Sequence, residues 1–223
     1  MILMGETGIG KTVLVTILSH FMNYSLEVLN MHAGRTQAEI ESFMQGVISQ
    51  IDLQNPSAKT IVFFDEINTN DSVDGLLKEV VIDRTLFGRP IPSQVVPVAA
   101  CNPYKLLEGP QRLSVGIRHD KTKDDRFSLL VYRVFPLPES FFYFVWNYNT
   151  LLDSDLHFYI RRILELRNQR RRRLFADRQI AEVADLSFHS HLFIREHQSS
   201  WSVSLRDVSR FASLIYWFYS DAV

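Results

Sequence analysis

The sequence predicts an α/β protein with a parallel sheet, followed by a small helical domain. Three observations support this prediction. Short apolar runs alternate with helical patterns over residues 1–136, which is typical of a parallel sheet with helices between its strands. A glycine-rich turn joins the first apolar run to the first helix. Beyond Pro136 and Pro138 the pattern is helical to the end. We therefore predict an α/β domain at 1–136 and a helical domain at 137–223.

Five apolar runs are the candidate strands. Their continuous apolar character favours strands that are covered on both faces. They are Met1–Met4, Leu26–His32, Thr60–Asp65, Val95–Cys101 and Leu129–Phe135. The first is shorter than the strand that usually precedes a glycine-rich phosphate loop. We therefore expect the sequence to be a piece of a longer protein.

Helical patterns fill the intervals between these runs. The first predicted helix covers Lys11–Met22, directly after the glycine-rich turn. The second begins at Thr36, because Glu39 three residues later completes a capping-box pattern. A third shows apolar residues at helical spacing over Val73–Val81. The aromatic residues of 141–146 are expected to pack the core of the helical domain.

Composition excludes several classes of function. The 24 Lys and Arg residues balance 25 Asp and Glu residues, giving a net charge of -1. This balance gives no electrostatic attraction to nucleic acid, so no nucleic-acid partner is expected. Cys101 is the single cysteine, which excludes an internal disulfide and fits a reducing, cytoplasmic location. No apolar run is long enough to span a membrane.

The glycine-rich turn matches the phosphate-loop pattern G-x-x-x-x-G-K-[ST] in full. Glycines let such a loop curl around phosphates, and the helix that follows offers its positive N-terminal end. The lysine reaches the β and γ phosphates and the hydroxyl ligates Mg²⁺, so the pattern predicts binding of ATP with Mg²⁺. The alternative is a chance glycine turn before a helix. The candidate residues are Gly5, Glu6, Thr7, Gly8, Ile9, Gly10, Lys11 and Thr12.

Two carboxylates follow the apolar strand Thr60–Asp65. An acid at such a strand end holds the Mg²⁺ shell in phosphate-loop ATPases, which is the role we predict for Asp65. Glu66 stands next to it and is the candidate general base for the attacking water. The alternative is a solvated acidic turn at the end of an ordinary strand.

Two further polar residues are candidates for the same site. Asn102 follows the strand Val95–Cys101 and would lie beside the γ-phosphate, where its amide orients the attacking water. The alternative is that Asn102 simply starts a turn before Pro103. Arg206 lies in the first turn of the last helix, an unfavourable place for a cation unless it faces an anion. The alternative there is an ordinary surface arginine.

Together these motifs resemble an AAA+ module. Longer strings of residues are similar to those of the mysterin family, giant RING-type ubiquitin ligases with a dynein-like row of AAA+ units in one chain. The Ala-Ala-Cys-Asn-Pro-Tyr and Leu-Val-Tyr-Arg-Val strings are the specific ones, because generic AAA+ proteins lack them. The similar strings are Met4–Gly8, Phe64–Thr69, Ala99–Tyr104, Leu130–Val134 and Ser204–Val208.

The resemblance implies a sheet of order 5-1-4-3-2 and a helical lid. It makes Lys11 and Thr12 Walker A residues and Asp65 and Glu66 Walker B residues. Asn102 becomes sensor 1 and Arg206 sensor 2. The arginine finger, which acts on a neighbouring unit's nucleotide, stays open among Arg112, Arg118, Arg126 and Arg133. This sequence carries no RING element, so ligase activity and a ubiquitin-conjugating enzyme partner would belong to other parts of such a chain.

The sequence-based hypothesis is therefore an ATPase module that works with neighbouring AAA+ units. Intact acids at positions 65 and 66 favour hydrolysis. Two alternatives remain at this point. One is a nucleotide-gated structural module that binds ATP and holds it. The other is a remodelling motor unit of the midasin or dynein kind, with no link to ubiquitin ligation.

Overall fold

The computed structural model of the chain describes residues 1–54, 58–106, 130–170, 174–197 and 203–221. The chain divides into two compact units. The first comprises Met1–Gly5 with Gly10–Tyr148, and the second comprises Glu6–Ile9 with Asn149–Val223. The division along the chain therefore falls after Tyr148, whereas the sequence pattern placed the domain boundary after Pro136. The segment between these two positions contributes a strand to the sheet of the first unit.

Within the described residues of the first unit, five parallel strands form the main sheet. Its order is β2-β3-β6-β1-β7, and β4 and β5 form a separate antiparallel hairpin. When the five parallel strands alone are numbered 1 to 5 along the chain, their order across the sheet is 2-3-4-1-5. Followed from the other edge this order is 5-1-4-3-2, which confirms the prediction. The strands are β1 (Ile2–Met4), β2 (Ser25–Asn30), β3 (Thr60–Asp65), β4 (Thr85–Leu86), β5 (Arg89–Pro90), β6 (Val95–Cys101) and β7 (Val145–Asn147).

The identity of the fifth parallel strand differs from the prediction. Leu129–Phe135 was expected, but its described part forms only an isolated antiparallel bridge between Leu130 and Leu106. Strand β7 takes the place beside β1 instead, with Ile2 opposite Val145. The prediction followed the longer apolar run. Pairing in a sheet is set by which segment reaches the open edge of β1, and local composition does not encode that.

The aromatic residues around β7 also differ from the prediction, which places them in the core of the helical domain. Phe141 is 1% exposed and belongs to the core of the first unit, with Val145 packed against that core. Phe142 and Trp146 are exposed. Backbone hydrogen bonds from Ile2 N to Phe144 O, and from Tyr148 N to Met4 O, tie this segment to β1. Phe141 therefore packs the core of the first unit, while the other aromatic residues of 141–146 are exposed.

The helices of the first unit follow the predicted pattern closely. Thr36 and Glu39 make a reciprocal cap, in which Thr36 N donates to Glu39 Oε2 at 2.8 Å and Glu39 N donates to Thr36 Oγ1 at 3.3 Å. This confirms the predicted capping box. The third helix is short and continues as a turn of π-helix over Glu79–Asp83. The helices are α1 (Lys11–Met22), α2 (Gln37–Gln54), α3 (Asp74–Lys78) and α4 (Glu139–Phe142).

The three central strands of the sheet, β3, β6 and β1, are buried on both faces, whereas the edge strands β2 and β7 are mostly half-buried or exposed. In β3, Val62 and Phe64 belong to a core shared with α2 and α3. Ile61 and Phe63 belong to a separate core that includes Val15 of α1. Alternate residues of a strand point to opposite faces, so a strand covered by helices on both sides has to be apolar throughout. This explains the continuous apolar runs in the sequence.

The described part of the second unit contains three long helices, α5 (Asp153–Arg170), α6 (Asp177–His197) and α7 (Leu205–Asp221). Each helix contributes apolar residues at helical spacing to one shared core. Its buried members are Leu156, Ile160, Leu164, Ile180, Ala184, Val208 and Ala212. Among the described residues, no helix is long and apolar enough to cross a membrane.

Candidate nucleotide-binding site

The phosphate-loop residues connect β1 to α1. Gly8 has a φ of 84° and Gly10 a φ of 98°, and both lie in the left-handed region that side chains disfavour. Gly10 is the residue at which α1 begins its first turn. The backbone conformation therefore favours glycine at both positions, although only Gly10 is a fixed position of the pattern. Gly5 is buried, and Glu6, Thr7, Gly8, Ile9 and Gly10 are half-buried.

Lys11 is the first residue of α1, and it is only 8% exposed. Its ammonium group donates to the Gly5 carbonyl at 2.6 Å and to Asn102 Oδ1 at 3.0 Å. A buried ammonium group requires acceptors, since burying a charge without partners is costly. The loop and the tip of β6 therefore fix the position of this cation. The structure brings together Lys11 and Asn102, two of the candidate site residues.

Thr12 and Asp65 form a pair of oxygen donors beside the lysine. The Thr12 hydroxyl donates to Asp65 Oδ2 at 2.7 Å. Because a hydroxyl has one hydrogen and two lone pairs, this bond leaves the Thr12 oxygen able to ligate a cation. Magnesium prefers oxygen ligands and takes only one or two from the protein when phosphates and waters supply the others. The two residues therefore fit the predicted magnesium site.

Glu66 follows Asp65 directly and has an unusual backbone. Its φ of 60° and ψ of 43° place it in the left-handed region, which is uncommon for a residue other than glycine. Its carbonyl accepts hydrogen bonds from Thr69 N at 3.1 Å and Thr69 Oγ1 at 2.9 Å. These bonds hold the strained turn that places Glu66 immediately after the strand end. Such strain is concentrated at functional sites.

Asn68 is a site residue for which the sequence analysis predicted no role. It is 2% exposed. Its side-chain nitrogen donates to the Asn102 carbonyl at 2.8 Å and to the Phe135 carbonyl at 3.3 Å, and its side-chain oxygen accepts from Asn102 N at 3.3 Å. The segment after the acidic pair carries two amides, Asn68 and Asn70, among mostly polar residues, so local composition did not single out Asn68. An amide buried in such a place requires partners.

Arg206 lies in the first turn of α7, in the second unit. Ser204 immediately precedes this helix, and its backbone nitrogen and its hydroxyl both donate to Asp207 Oδ2 at 2.9 Å, so the Asp207 carboxylate caps the start of the helix. A Cβ atom added at Gly8 would lie 3.4 Å from Ser204 Cβ and 3.6 Å from the Arg206 backbone nitrogen. The backbone at the start of α7 therefore lies against the glycine of the phosphate loop. The role of the Arg206 side chain stays a prediction.

The second unit contains an ion pair between Glu6 and Arg195 that no local sequence pattern predicts. Glu6 Oε2 lies 3.6 Å from Arg195 of α6, and each side chain is 18% exposed. The pair joins the phosphate loop to a helix whose residues are far away in the sequence. Of the candidate arginine fingers, Arg133 is exposed. Arg112, Arg118 and Arg126 lie outside the described residues.

These features define a class of protein. A parallel sheet of this order carries a phosphate loop after its first strand, an acidic pair after β3 and an asparagine after β6, and a helical unit follows. This combination is that of an AAA module. Residues 1–105 match the family model described as "RNF213 AAA domain". This part of the chain therefore belongs to the RNF213 AAA domain family.

Similarity to RNF213 proteins extends over nearly the whole chain. The chain is 33% identical over 240 residues to E3 ubiquitin-protein ligase rnf213-beta of Danio rerio, and the match covers 98% of this chain. It is 33% identical over 247 residues to E3 ubiquitin-protein ligase RNF213 of Mus musculus, and 30% identical to that of Homo sapiens, covering 99% of this chain in each case. The chain spans 5% of the length of each of these relatives. It is thus an AAA module similar to one part of much longer ligase chains.

Proposed function

We propose that the chain binds Mg-ATP and hydrolyses the β–γ phosphoanhydride bond. One observation carries the proposal. The buried Lys11 ammonium group lies within 3.0 Å of Asn102 Oδ1, and the neighbouring Thr12 hydroxyl bonds to Asp65. A cation, a pair of magnesium-type ligands and a polar amide thus converge at the carboxyl ends of three adjacent strands. Ligands of open α/β sheets bind at this edge.

Each residue has a distinct role in the proposed reaction. Lys11 stabilises the negative charge on the β and γ phosphates, with help from the N-terminal end of α1. Thr12 and Asp65 hold Mg²⁺, which neutralises phosphate charge when it is bound. Glu66 accepts a proton from the attacking water, and Asn102 orients that water toward the γ-phosphorus. Arg206 is the candidate for a further contact with the γ-phosphate. Catalysis is then mostly positioning and charge stabilisation.

Calorimetry with the Lys11→Ala variant tests the binding step. Removing the ammonium group leaves the phosphates without their cation, so we expect Mg-ATP binding to be lost. Lys78→Ala is the matched control, because Lys78 is a half-exposed lysine whose partner is Asp83 in an ion pair outside the site. Unchanged affinity in Lys11→Ala would overturn the proposal.

A second part of the proposal concerns the longer protein to which this module would belong and the partners of that protein. The relatives are named as ubiquitin ligases, so we propose that this module serves a mysterin-like ligase. Its partners would then be neighbouring AAA+ units and a ubiquitin-conjugating enzyme bound elsewhere in the chain. The buried free thiol of Cys101 supports a cytoplasmic location.

The contribution of a neighbouring AAA+ unit is measurable as a change in the rate of ATP hydrolysis. An arginine finger supplied by another unit raises phosphoryl transfer on the order of 10³-fold or more. We therefore expect the 223-residue chain alone to turn over ATP slowly, and a chain that also holds the adjoining AAA+ unit to turn it over much faster. Fast turnover that does not depend on protein concentration would favour a self-contained ATPase. Tight ATP binding without turnover in both cases would favour the structural module.

A further inference from the structure

We propose that Asn68 is a positioning residue that sets the place of Asn102 and, through it, of Lys11. The inference rests on the proposed function, because the group it positions acts on the γ-phosphate of bound ATP. Asn68 belongs to the short helical turn Ile67–Thr69 that follows Glu66. It thus links the turn that carries the candidate base to the strand tip that carries the water-orienting amide.

The hydrogen bonds of Asn68 involve both the oxygen and the nitrogen of its side-chain amide. Its oxygen accepts from Asn102 N at 3.3 Å, and its nitrogen donates to the Asn102 carbonyl at 2.8 Å. The same nitrogen donates to the Phe135 carbonyl at 3.3 Å. Both backbone polar groups of Asn102 are therefore bonded to one side chain. This arrangement fixes the orientation of the Asn102 peptide units and hence the direction in which its own side chain leaves the backbone.

Asn102 in turn bonds to the cation of the site. Its Oδ1 accepts from Lys11 Nζ at 3.0 Å. The connection therefore runs from Asn68 to the Asn102 backbone, and from the Asn102 side chain to Lys11. All three side chains are at most 8% exposed, so water does not compete for these bonds as it would at the surface. A displacement of Asn102 would alter both the contact to the γ-phosphate and the lysine.

A second buried asparagine provides the comparison that separates positioning from folding. Asn70 lies two residues further on and is 5% exposed. Its side chain donates to the Arg35 carbonyl at 2.8 Å and accepts from Ser72 N at 3.0 Å. It therefore holds backbone segments as Asn68 does, but its bonds lead to the loop after β2. Loss of either asparagine is expected to destabilise the chain, and only loss of Asn68 is expected to disturb Asn102.

The experiment compares Asn68→Ala and Asn68→Asp with Asn70→Ala and Asn70→Asp. The Asn68→Asp variant keeps the acceptor for Asn102 N and replaces the donor by an oxygen that faces two carbonyls. Asn68→Ala removes the amide and adds no charge, so it serves if the carboxylate variant does not fold. Thermal unfolding reports on folding. Calorimetry gives the Kd values of Mg-ATP and Mg-ADP, and steady-state assays give kcat.

We expect the Asn68 variants to bind Mg-ADP with a Kd within about threefold of the parent, and to lose preference for Mg-ATP. The kcat should fall on the order of tenfold or more, because misplacing a catalytic group by about 1 Å has effects of this size. The Asn70 variants should lower the unfolding temperature while leaving both the nucleotide preference and kcat near those of the parent. In an Asn102→Ala background, Asn68→Ala should cause no further loss of kcat.

The experiment distinguishes failure of the proposed function from failure of the positioning role of Asn68. A parent chain that binds neither nucleotide overturns the proposed function and this inference with it. A parent chain that binds Mg-ATP, while the Asn68 variants keep its nucleotide preference and kcat, overturns the positioning role alone. Equal effects of the Asn68 and Asn70 substitutions on the nucleotide preference also overturn that role, because they would show a general loss of structure.

Discussion

Lys11 Nζ lies 3.0 Å from Asn102 Oδ1, although the two residues stand 91 positions apart in the chain. The second acceptor of this ammonium group is the carbonyl of Gly5 at 2.6 Å. Both of these acceptors are neutral. A phosphate group carries negative charge and forms stronger, charge-assisted hydrogen bonds with an ammonium group. An incoming phosphate can therefore replace these neutral acceptors at an ammonium group that they have already oriented.

Replacing Asn102 by aspartate should weaken ATP binding more than replacing it by alanine. The carboxylate would pair with Lys11 and would repel the phosphates from the same place. We expect the Kd of Mg-ATP to rise on the order of tenfold or more for Asn102→Asp. Asn102→Ala should raise the Kd less, because it removes the contact to the γ-phosphate but leaves Lys11 its charge and its freedom to reach the phosphates. Calorimetry measures both variants, and equal affinities would contradict the proposed competition for Lys11.

Asp65→Asn should change the dependence of binding on magnesium. The amide keeps the size of the side chain and removes the charge that complements the cation beside Thr12. Titrations of ATP at several Mg²⁺ concentrations should show that the variant needs more Mg²⁺ than the parent chain to reach the same affinity. Asp83→Asn is the control, since the exposed Asp83 pairs with Lys78. An Mg²⁺ dependence equal to that of the parent chain would exclude Asp65 as a ligand.

Glu66→Gln should separate binding from hydrolysis. Glutamine keeps the shape of the side chain but cannot accept a proton from water. Loss of a general base lowers the rate on the order of 10²-fold to 10⁴-fold. ATP should therefore bind with nearly unchanged affinity and persist on the protein. Rapid quenching followed by separation of ATP from ADP measures this, and ADP production at the parent rate would show that another group is the base.

Local patterns predicted much of the fold and site. Helix α1 begins and ends where the sequence placed it, because Gly10 permits the left-handed backbone at its start and Asn23 adopts one at its end. Strands β3 and β6 also match their predicted bounds. The closeness of the candidate residues at these ends follows from strand position, since the carboxyl ends of parallel strands lie at one edge. Their roles stay predictions.

Contacts between residues far apart in the chain were not predicted from the sequence. The partner of Asn68 stands 34 positions further along the chain. Strand β7 has only three residues, and its pairing with β1 joins segments from opposite ends of the first unit. Local periodicity carries no signal for such pairs. The ion pair of Glu6 with Arg195 was missed for the same reason.

Cys101 should resist alkylation while the chain is folded. Burial raises the pKa of its thiol from 9.0 to about 12, although the nearby Lys11 cation acts in the opposite direction. The thiolate is the reactive form, so a shift of this size lowers its fraction at neutral pH on the order of a thousandfold. Mass spectrometry after iodoacetamide treatment should show slow labelling in buffer and fast labelling in urea. Fast labelling of the folded chain would contradict the burial of β6.

His191 should make the folded chain less stable in mildly acidic solution. The residue is 4% exposed in α6, and its Nδ1 has no hydrogen-bond partner within the described part of the chain. Burial lowers its pKa below the ordinary value of 6.5, the Arg195 cation lowers it further, and Asp207 opposes both. The unfolded chain therefore binds a proton at a higher pH than the folded chain does. Protonation consequently favours unfolding.

This contribution to stability is complete above pH 6.5 and is lost as the pH falls from that value through the lower pKa of the folded state. Urea unfolding should accordingly give a free energy of unfolding that decreases between neutral pH and mildly acidic pH. His191→Gln removes the titrating ring, so its free energy of unfolding should decrease less over the same interval. His189→Gln changes an exposed histidine two positions away in the same helix, and it should keep the slope of the parent chain. A His191→Gln slope equal to that of the parent would show that other groups cause the acid sensitivity.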